Sequence, residues 1–500
     1  MVDDATASTV APETRRPWLA AVLSFAFPGL GQAYSGRPRD ALLFALPVVL
    51  LVAAGIAVMN GVAGDRNSLL SPSFLTAVLL VNGALLLWRL LSIIHAGLTP
   101  TARVVGRHRR VALGTVAGLL LTSIAMHAWV GVVVAELEQT LTQVFAPEPD
   151  APAVPASTPE PGGEEPAPTP TPGPNRWADT ERINVLLLGT DAAPGREGAR
   201  PDVILVVSID PTDRSAVMIS IPRDTGWLPL PDDRLYPDGL YPGRVNQIAA
   251  EAALSPDRWC PDLEDPEPER CGREALERSV GLYLGLEIHH YAIVDMAGFA
   301  EMIDALGGLE LCLPGRLVDR EFDGSLENRG AGEPLVLPAG CHHYSGLEAL
   351  AYARSRKGWI EMDDGTRVIQ TDFDRNERQQ QVLLALRREL AEADTLFELP
   401  GLIGAIGRTV STDVPREQAG DLAGLLPLVT GPDIERVVLG HPGYVDLPLE
   451  PEENYLLVPK RSAVRDAMVD LFGRGQLSGW YLATYASGPP PARDTDPAAP

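Results

Sequence analysis

The sequence predicts a multispan α-helical membrane region followed by an exported α/β domain, and three observations lead to this fold class. The first 145 residues contain three apolar runs close to the ~20 residues that a helix needs to cross a bilayer. Residues 1–145 carry 10 Lys and Arg against 7 Asp and Glu, whereas the rest of the chain carries 31 Lys and Arg against 59 Asp and Glu. That second part contains short apolar runs separated by turn residues, and one long amphipathic helix, a pattern typical of an α/β domain.

The membrane region, residues 1–145, contains spans predicted at about 41–60, 74–98 and 111–137. A shorter apolar run, 18–34, is interrupted by proline and glycine and has arginines on both sides. We expect this run to be re-entrant, dipping into the bilayer and returning, with a short true span as the alternative.

Arginines set the predicted orientation of these spans. The loop 99–110 carries four of them, so the positive-inside rule places this loop in the cytoplasm. The last span then leads out of the cell. We therefore expect a multi-pass protein of the plasma membrane whose large C-terminal part is extracellular.

The composition divides the exported part into segments. Residues 146–176 are rich in proline and cannot bury a core, so they are predicted to form an extended linker. A domain is expected over 180–400, and residues 401–486 are expected to be an extension of mixed helix and strand packed on it. The tail, 487–500, has a composition like that of the linker and is predicted to be disordered.

Charge and cysteine content limit the partners and the compartment. The net charge of −25 excludes nucleic acid as a general partner, because binding phosphates along a strand requires a basic face. All four cysteines follow the linker, and an even number in an exported domain indicates disulfides. Three connectivities are possible. We favour Cys260–Cys271, which closes a short acidic Pro-rich loop, together with Cys312–Cys341. The spacings fit no zinc site.

A first candidate site lies where three predicted strands, 183–189, 203–209 and 216–221, meet at one sheet edge. A turn sequence joins the second strand to the third, and the middle strand is expected to run in reverse. Asp191, Asp202 and Arg223 then gather at one edge. Two carboxylates beside a guanidinium suit Mg²⁺ or Mn²⁺ bound to a phosphate. An acidic surface loop with an ordinary salt bridge is the alternative.

A second candidate site lies between 350 and 380. Arg354 and Arg356 lie two residues apart and point to the same face if that stretch is extended. A helix follows with Asp372 as its expected N-cap, and one stripe of it is predicted to face the core. The stripe comprises Arg375, Gln379, Val382 or Leu383, Leu386 and Leu390. Polar groups that point inward at a helix start require a partner, so a polyanionic ligand is expected. Pairing with acidic groups across the core is the alternative.

Six segments together resemble the LytR-CpsA-Psr family of cell-envelope proteins. They are INVLLLGTD (183–191), RPDVILVVSIDP (200–211), SIPRD (220–224), HHYAIVDMAGFAEMIDALGG (289–308), LEALAYARSR (347–356) and DFDRNERQQ (372–380). Each segment is a weak signal alone, but their order along 180–400 is specific. This chain departs from the family at Pro201, where a small residue is usual, and in its several spans, where one anchor is usual.

The resemblance implies a mixed central sheet flanked by helices, with an apolar slot for a prenyl chain. It also implies transfer of a glycopolymer from a polyprenyl-pyrophosphate carrier to peptidoglycan, with release of polyprenyl phosphate. Under it, Asp191 and Asp202 correspond to Mg²⁺-side carboxylates, and Asp372 to an acid near the arginines. The pyrophosphate is held by Arg223, Arg354, Arg356, Arg375 and Gln379. A pyrophosphatase and a non-catalytic lipid-carrier binding protein remain open, and neither the glycopolymer nor a general base can be identified.

The predicted orientation can be tested with protease added to intact cells. We expect cleavage within the Pro-rich stretch 146–176, because an extended segment outside the cell is accessible to the enzyme. Immunoblotting of the fragments provides the readout, and full protection would contradict the orientation.

Overall fold

A computed structural model describes residues 16–62, 66–98, 107–145, 182–190, 200–231, 234–261, 267–322, 334–392, 399–425, 434–448 and 455–485. The chain divides into two compact units, Met1–Glu138 and Gln139–Pro500. The predicted linker 146–176, most of the loop 99–110 and the tail 487–500 lie outside the described residues.

The described residues before 146 are mostly helical. The helices are α1 (Pro17–Ala26), α2 (Leu30–Tyr34), α3 (Pro38–Val62), α4 (Arg66–Leu69), α5 (Pro72–Leu98) and α6 (Arg107–Val144). Among the described residues, three segments are long and apolar enough to cross a membrane, namely Pro38–Val58, Pro72–Leu98 and Arg110–Val144. These segments overlap the three spans that the sequence predicts.

The short run 18–34 forms two helices that pack on each other. The chain turns between α1 and α2 at Gly29, whose φ of 103° favours glycine. A Cβ on Gly31 would lie 2.0 Å from the carbonyl oxygen of Ala20, so the two helices require glycine at their contact. The buried Gln32 side chain accepts a hydrogen bond from Ser24 and donates one to the Ser92 carbonyl on α5. The re-entrant placement of this hairpin in a bilayer stays a prediction.

The second unit is an α/β domain. Its elements are β1 (Ile183–Thr190), β2 (Pro201–Asp210), β3 (Ser215–Ser220), β4 (Gly226–Pro229), β5 (Leu240–Arg244), α7 (Val245–Leu254), α8 (Pro256–Trp259), α9 (Pro268–Leu284), β6 (His290–Asp295), α10 (Met296–Ala305), β7 (Leu309–Leu313), β8 (Arg316–Asp319), β9 (Leu335–Leu337), β10 (Gly340–Tyr344), α11 (Gly346–Arg354), β11 (Trp359–Glu361), β12 (Arg367–Ile369), α12 (Asp372–Glu392), α13 (Leu399–Thr409), β13 (Val410–Thr412), α14 (Ala419–Leu425), β14 (Glu435–Val438), β15 (Val445–Asp446), β16 (Val458–Pro459) and α15 (Arg461–Phe472), with 3₁₀ turns at Arg416–Gln418 and Arg474–Gln476 and a π-helical turn at Tyr481–Tyr485.

Six of these strands form one mixed sheet in the order β13-β6-β1-β2-β3-β14. Strand β2 is antiparallel to both β1 and β3, whereas β6 is parallel to β1 and β14 is parallel to β3. Alternate residues of the central strands point to opposite faces. Leu186, Ile204 and Ile219 pack with α7, α9 and α15, whereas Leu205 and Met218 pack on the opposite side with α12 and α14. The predicted fold class, a mixed sheet flanked by helices, is confirmed.

The part of the chain after residue 400, predicted to be an extension packed on the domain, contributes two strands to the main sheet. Both edge strands, β13 and β14, come from beyond that residue. The later helix α15 also buries Val464 and Met468 in the same core as the central strands. Residue 400 therefore does not bound the domain, because the main sheet ends on either side with strands from the C-terminal part.

The described cysteines form two disulfides, the pairing that the sequence favours. Cys260–Cys271 ties the end of α8 to α9. Cys312 and Cys341 face each other across the antiparallel pair β7 and β10. Each bond joins two elements that are adjacent in space and separate along the chain.

Helix α9 carries a carboxyl group with an unusual environment. Burial raises the pKa of Glu277 from 4.5 to about 7, and the negative charges of Asp413 and Glu274 add to the shift. Near neutral pH a large share of this carboxyl is therefore uncharged, whereas a solvated glutamate is ionised.

This environment makes the stability of the fold depend on pH. Between about 4.5 and 7 the folded chain binds more protons at Glu277 than the unfolded chain, so stability falls as the pH rises through that window. We expect Glu277→Gln to raise the free energy of unfolding at pH 8 by on the order of 2 kcal/mol. At pH 4 the gain should vanish.

Thermal unfolding of the full chain at the two pH values measures this difference. Glu287→Gln, at an exposed position nearby, provides the control and should change neither value. An equal gain for Glu277→Gln at pH 4 and pH 8 would contradict the raised pKa.

Candidate active site

The reversed middle strand brings the end of β1, the start of β2 and the segment after β3 to one sheet edge. Thr190, the last residue of β1, pairs with Pro201, the first of β2, next to a register shift at Gly189. The segment after β3 returns to the same edge, where the Ile221 amide donates to the Ile204 carbonyl. Asp202 and Arg223 are brought together there, as the sequence predicts. Asp191 lies outside the described residues.

An ion-pair chain runs along this edge. The Arg223 guanidinium donates to the Asp202 carboxylate, and its Nε lies 3.7 Å from Asp224. On the far side of Asp224, its other oxygen lies 3.4 Å from Arg244 Nε. Burial raises the pKa of Asp224, and the neighbouring Arg223 opposes that shift. Sequence reasoning assigned no role to Asp224 or Arg244, although Asp224 ends the SIPRD segment.

The segment with Arg354 and Arg356 begins where a helix ends. Residues 347–353 are helical, and Arg354 is the last residue of α11. Ser355 then turns the chain out of the helix with φ −57° and ψ 135°. The predicted extended stretch is therefore wrong at Arg354, but both arginines line the same cavity.

Helix α12 carries the other predicted polar residues. Arg375 is 2% exposed and its Nη2 donates to Asp372 at 3.0 Å, while Gln379 donates to the Ala353 carbonyl at 3.4 Å. The predicted N-cap is wrong by one residue. Thr371 caps the helix and exchanges hydrogen bonds with Asp374, which leaves Asp372 free to pair with Arg375.

The predicted inward stripe of α12 is correct for most of its length. Val382 and Leu386 are buried, together with the two polar residues of the first turns. Leu390 is 41% exposed, because the helix has by then passed beyond the core.

Two buried charged residues that sequence reasoning missed hold the segment 354–356 from opposite sides. Arg378, 3% exposed, donates to the carbonyls of Tyr352 and Ser355 and to Gln370. Asp319, 1% exposed, accepts from the Ser355 hydroxyl at 2.7 Å and from the backbone amide of Arg356. Arg378 lies in the DFDRNERQQ segment, whereas no sequence signal marks Asp319, whose contacts are set by tertiary structure.

A slot of about 100 Å³ lies between the sheet and the helices α10, α11 and α12. Its charged and amide groups belong to Asp202, Arg354, Arg356, Arg375 and Gln379. The remaining walls are mostly apolar and are formed by Leu187, Gly189, Val203, Val294, Met296, Phe299, Phe322, Leu350, Ala353, Val382 and Leu383. The slot therefore offers three positive charges against one negative charge, next to mostly apolar walls.

One donor in this slot has no partner within the described chain. Arg375 Nε is buried and makes no hydrogen bond there. Burial lowers the pKa of Arg375, with Asp372 opposing that shift, yet a guanidinium keeps its charge in proteins. A buried charged donor without an acceptor is costly, so an anionic group in the slot would satisfy it.

The carboxylates have the donor chemistry that Mg²⁺ prefers, but they form no closed metal cluster. Among the described residues, no group of three or more His, Cys, Asp or Glu side chains is arranged to hold a metal ion. Asp202 supplies hard oxygen atoms at the slot and shares them with Arg223. A metal there would need the predicted second ligand, Asp191, or the ligand's own oxygens.

Comparison with known proteins gives a family match. The sequence model of the LytR_cpsA_psr family matches residues 162–439, more than half of the chain. The match includes the central strands, both slot segments and the edge strand β14.

Curated relatives are similar over the same part of the chain. Regulatory protein MsrR of Staphylococcus aureus (strain COL) is 31% identical over 234 residues, which cover 47% of this chain and 57% of that protein. Polyisoprenyl-teichoic acid–peptidoglycan teichoic acid transferase TagU of Halalkalibacterium halodurans is 26% identical over 46% of this chain and 61% of that protein. The chain thus spans less than two thirds of either relative.

The crystal structure of TagV from B. subtilis matches with 25% identity and a TM-score of 0.41, over 58% of this chain and 96% of that chain.

The support that Arg378 gives to the slot arginines can be tested by Arg378→Met. We expect this change to lower the free energy of unfolding by about 3 kcal/mol, since it leaves buried carbonyls without donors. Chemical denaturation of the full chain measures it. Glu377→Gln, an exposed neighbour on the same helix, should be neutral, and an unchanged stability of Arg378→Met would refute the clamp.

Proposed function

The chain belongs to the LytR-CpsA-Psr family, and we propose that it transfers a glycopolymer from a polyprenyl-pyrophosphate carrier to peptidoglycan. A phosphodiester forms between the glycopolymer and a peptidoglycan hydroxyl, and polyprenyl phosphate leaves. The relative TagU supports this reaction, since its name states transfer of teichoic acid to peptidoglycan.

The amphipathic slot is the observation that carries the proposal. Three arginines line it, and its other walls are mostly apolar side chains of the sheet and three helices. A ligand that satisfies both parts has an anionic head joined to an apolar tail. A polyprenyl pyrophosphate has this chemistry, with charge for the guanidinium groups and an isoprenoid chain for the apolar walls.

The arrangement suits phosphoryl transfer, which depends mainly on positioning and charge stabilisation. Arg354, Arg356 and Arg375 would hold the pyrophosphate oxygens, with Gln379 as a further donor. Arg223 lies at the neighbouring edge, where Asp202 and Asp224 orient its guanidinium. The peptidoglycan hydroxyl attacks the sugar-proximal phosphorus, and the arginines stabilise the charge that develops on the departing lipid phosphate.

A divalent cation belongs to this proposal. Mg²⁺ or Mn²⁺ would be held by Asp202 together with Asp191 and by oxygens of the pyrophosphate. It would supply further charge neutralisation at the head group. The pyrophosphate itself provides the driving force, so no nucleotide is needed.

Incubation of the purified full chain in detergent with a polyprenyl-pyrophosphoryl glycan, peptidoglycan and Mg²⁺ tests the function. Glycan bound covalently to peptidoglycan is the expected product. Free glycan phosphate alone would favour the pyrophosphatase, in which water replaces the acceptor. Tight binding of the lipid without turnover would favour the non-catalytic binding protein and would contradict both the transferase and the pyrophosphatase.

Removal of the slot arginines gives a direct prediction. We expect Arg354→Ala and Arg356→Ala each to lower kcat/KM about 10- to 100-fold, which corresponds to ~1.5–3 kcal/mol for a charge-assisted phosphate contact. Transfer to peptidoglycan is the measurement. Arg367→Ala is the matched control, because that exposed arginine on β12 pairs with Glu361 on the neighbouring strand β11, outside the slot. Full activity in either slot variant would remove these arginines from the mechanism.

A further inference from the structure

The second unit contains a cleft on the face of the main sheet opposite the slot. It is formed by α9, the turn between β4 and β5, and the segment around Ser478. Helix α9 packs on the face of the sheet that carries Leu186 and Ile204, whereas α12 covers the other face. The cleft has a volume of about 1170 Å³ and shares no lining residue with the slot. It therefore has room for a ligand of several sugar units, independent of the candidate active site.

Its walls are fixed to one another by specific bonds. The Ser279 hydroxyl on α9 donates to the Pro229 carbonyl at 2.8 Å, and the Ser478 amide donates to the Gly285 carbonyl at 2.9 Å. The disulfide between Cys260, which lines the cleft, and Cys271 joins this part of the wall to α9. A cleft held in this way is formed before a ligand arrives, which lowers the entropic cost of binding.

The cleft combines flat apolar surfaces with polar groups of both signs. Trp259 forms part of the buried wall, and Trp480 is 43% exposed. Four carboxylates and three guanidinium groups line it, from Asp238, Glu274, Glu277, Glu287, Arg234, Arg278 and Arg461. With the charges nearly balanced, an anion would meet the carboxylates and a cation would meet the arginines. A neutral ligand rich in hydroxyl groups can donate to the first set and accept from the second.

The indole rings and one uncharged carboxyl add to this complementarity. An indole provides a flat apolar face with a polar edge, which suits the C–H face of a sugar ring. Glu274 accepts from Arg270 and lies 3.6 Å from Arg278, so this part of the wall is ordered. Because the pKa of Glu277 is about 7, its carboxyl can donate as well as accept near neutral pH.

We propose that this cleft binds a neutral saccharide segment of a cell-wall glycan and holds it away from the reacting phosphates. The role of the bound glycan, as acceptor strand or as transferred polymer, rests on the proposed function. Binding of the glycan can be measured without any transfer reaction. The two sources share the same sugar chemistry and can be separated by experiment.

Binding of the full chain in detergent to two probes tests the cleft. One probe is insoluble peptidoglycan freed of attached polymers, whose binding is measured by co-sedimentation. The other is soluble arabinogalactan, a neutral polysaccharide whose binding is measured by isothermal titration calorimetry. We expect Trp480→Ala to weaken binding of at least one probe about tenfold, because an indole that lines a sugar site offers a large apolar face for stacking. Leu447→Ala is the matched control, since Leu447 is also 43% exposed and lies outside the cleft, and it should bind like the wild type.

The pattern across the probes identifies the glycan. Weaker co-sedimentation with peptidoglycan alone assigns the acceptor strand, and a weaker affinity for the soluble polysaccharide alone assigns the transferred polymer. Arg278→Ala removes a side chain that is 63% exposed from the opposite wall, and it should also weaken binding. It keeps the test valid if Trp480→Ala does not fold.

Wild-type binding of both probes by Trp480→Ala and Arg278→Ala would overturn the proposal. Arg354→Ala, in the slot, should bind peptidoglycan as the wild type does while its transfer activity falls. If no transfer is found but glycan binding depends on Trp480, the proposed function is wrong and the proposal that the cleft binds a glycan stands.

Discussion

The candidate site depends on a short segment whose backbone is fixed by two buried charges. Ser355 lies between the guanidinium of Arg378 and the carboxylate of Asp319, and it bonds to both. Each charge is nearly inaccessible to solvent, and each is satisfied by several hydrogen bonds, the condition under which a buried charge is tolerated. The arginines on either side of Ser355 owe their common direction to this arrangement. The buried charges of Arg378 and Asp319, which do not line the slot, therefore position Arg354 and Arg356, which do.

The sign of the charge in the slot is opposite to that of the domain around it. Residues after 145 carry a net charge of −28, yet the slot has three arginines for one aspartate. A total charge describes the distant field, which salt screens within ~10 Å at 0.1 M ionic strength. Within the slot the near charges and the poor solvation dominate. Net charge argues against nucleic acid and says little about a small anion held among a few arginines.

Much of this site could be predicted because its parts follow local rules. The apolar runs of β1, β2 and β3, with a turn sequence between the last two, are enough to bring Asp202 to Arg223. The stripe on α12 follows from helical periodicity. The edge strands β13 and β14 were missed as parts of the sheet, because they are only 3 and 4 residues long and half-exposed, with no apolar run. Asp319 could not be found either, since its partners Ser355 and Arg356 are distant in sequence and only the tertiary fold brings them together. Asp224 lies next to Arg223 in the SIPRD segment, and only its contact with Arg244 depends on the tertiary fold.

The origin of the two edge strands has a consequence for how the molecule is made. The central strands and α12 leave the ribosome before β13 and β14, so during synthesis the nascent sheet has two open edges. Such edges offer unpaired N–H and C=O groups to any neighbouring chain. They are covered only when residue 438 has emerged, and at ~5–20 residues per second the interval after β3 lasts tens of seconds. Strands β13 and β14 thus cover the two edges of the main sheet. A chain that stops before them is exposed to aggregation even though its slot residues are all present.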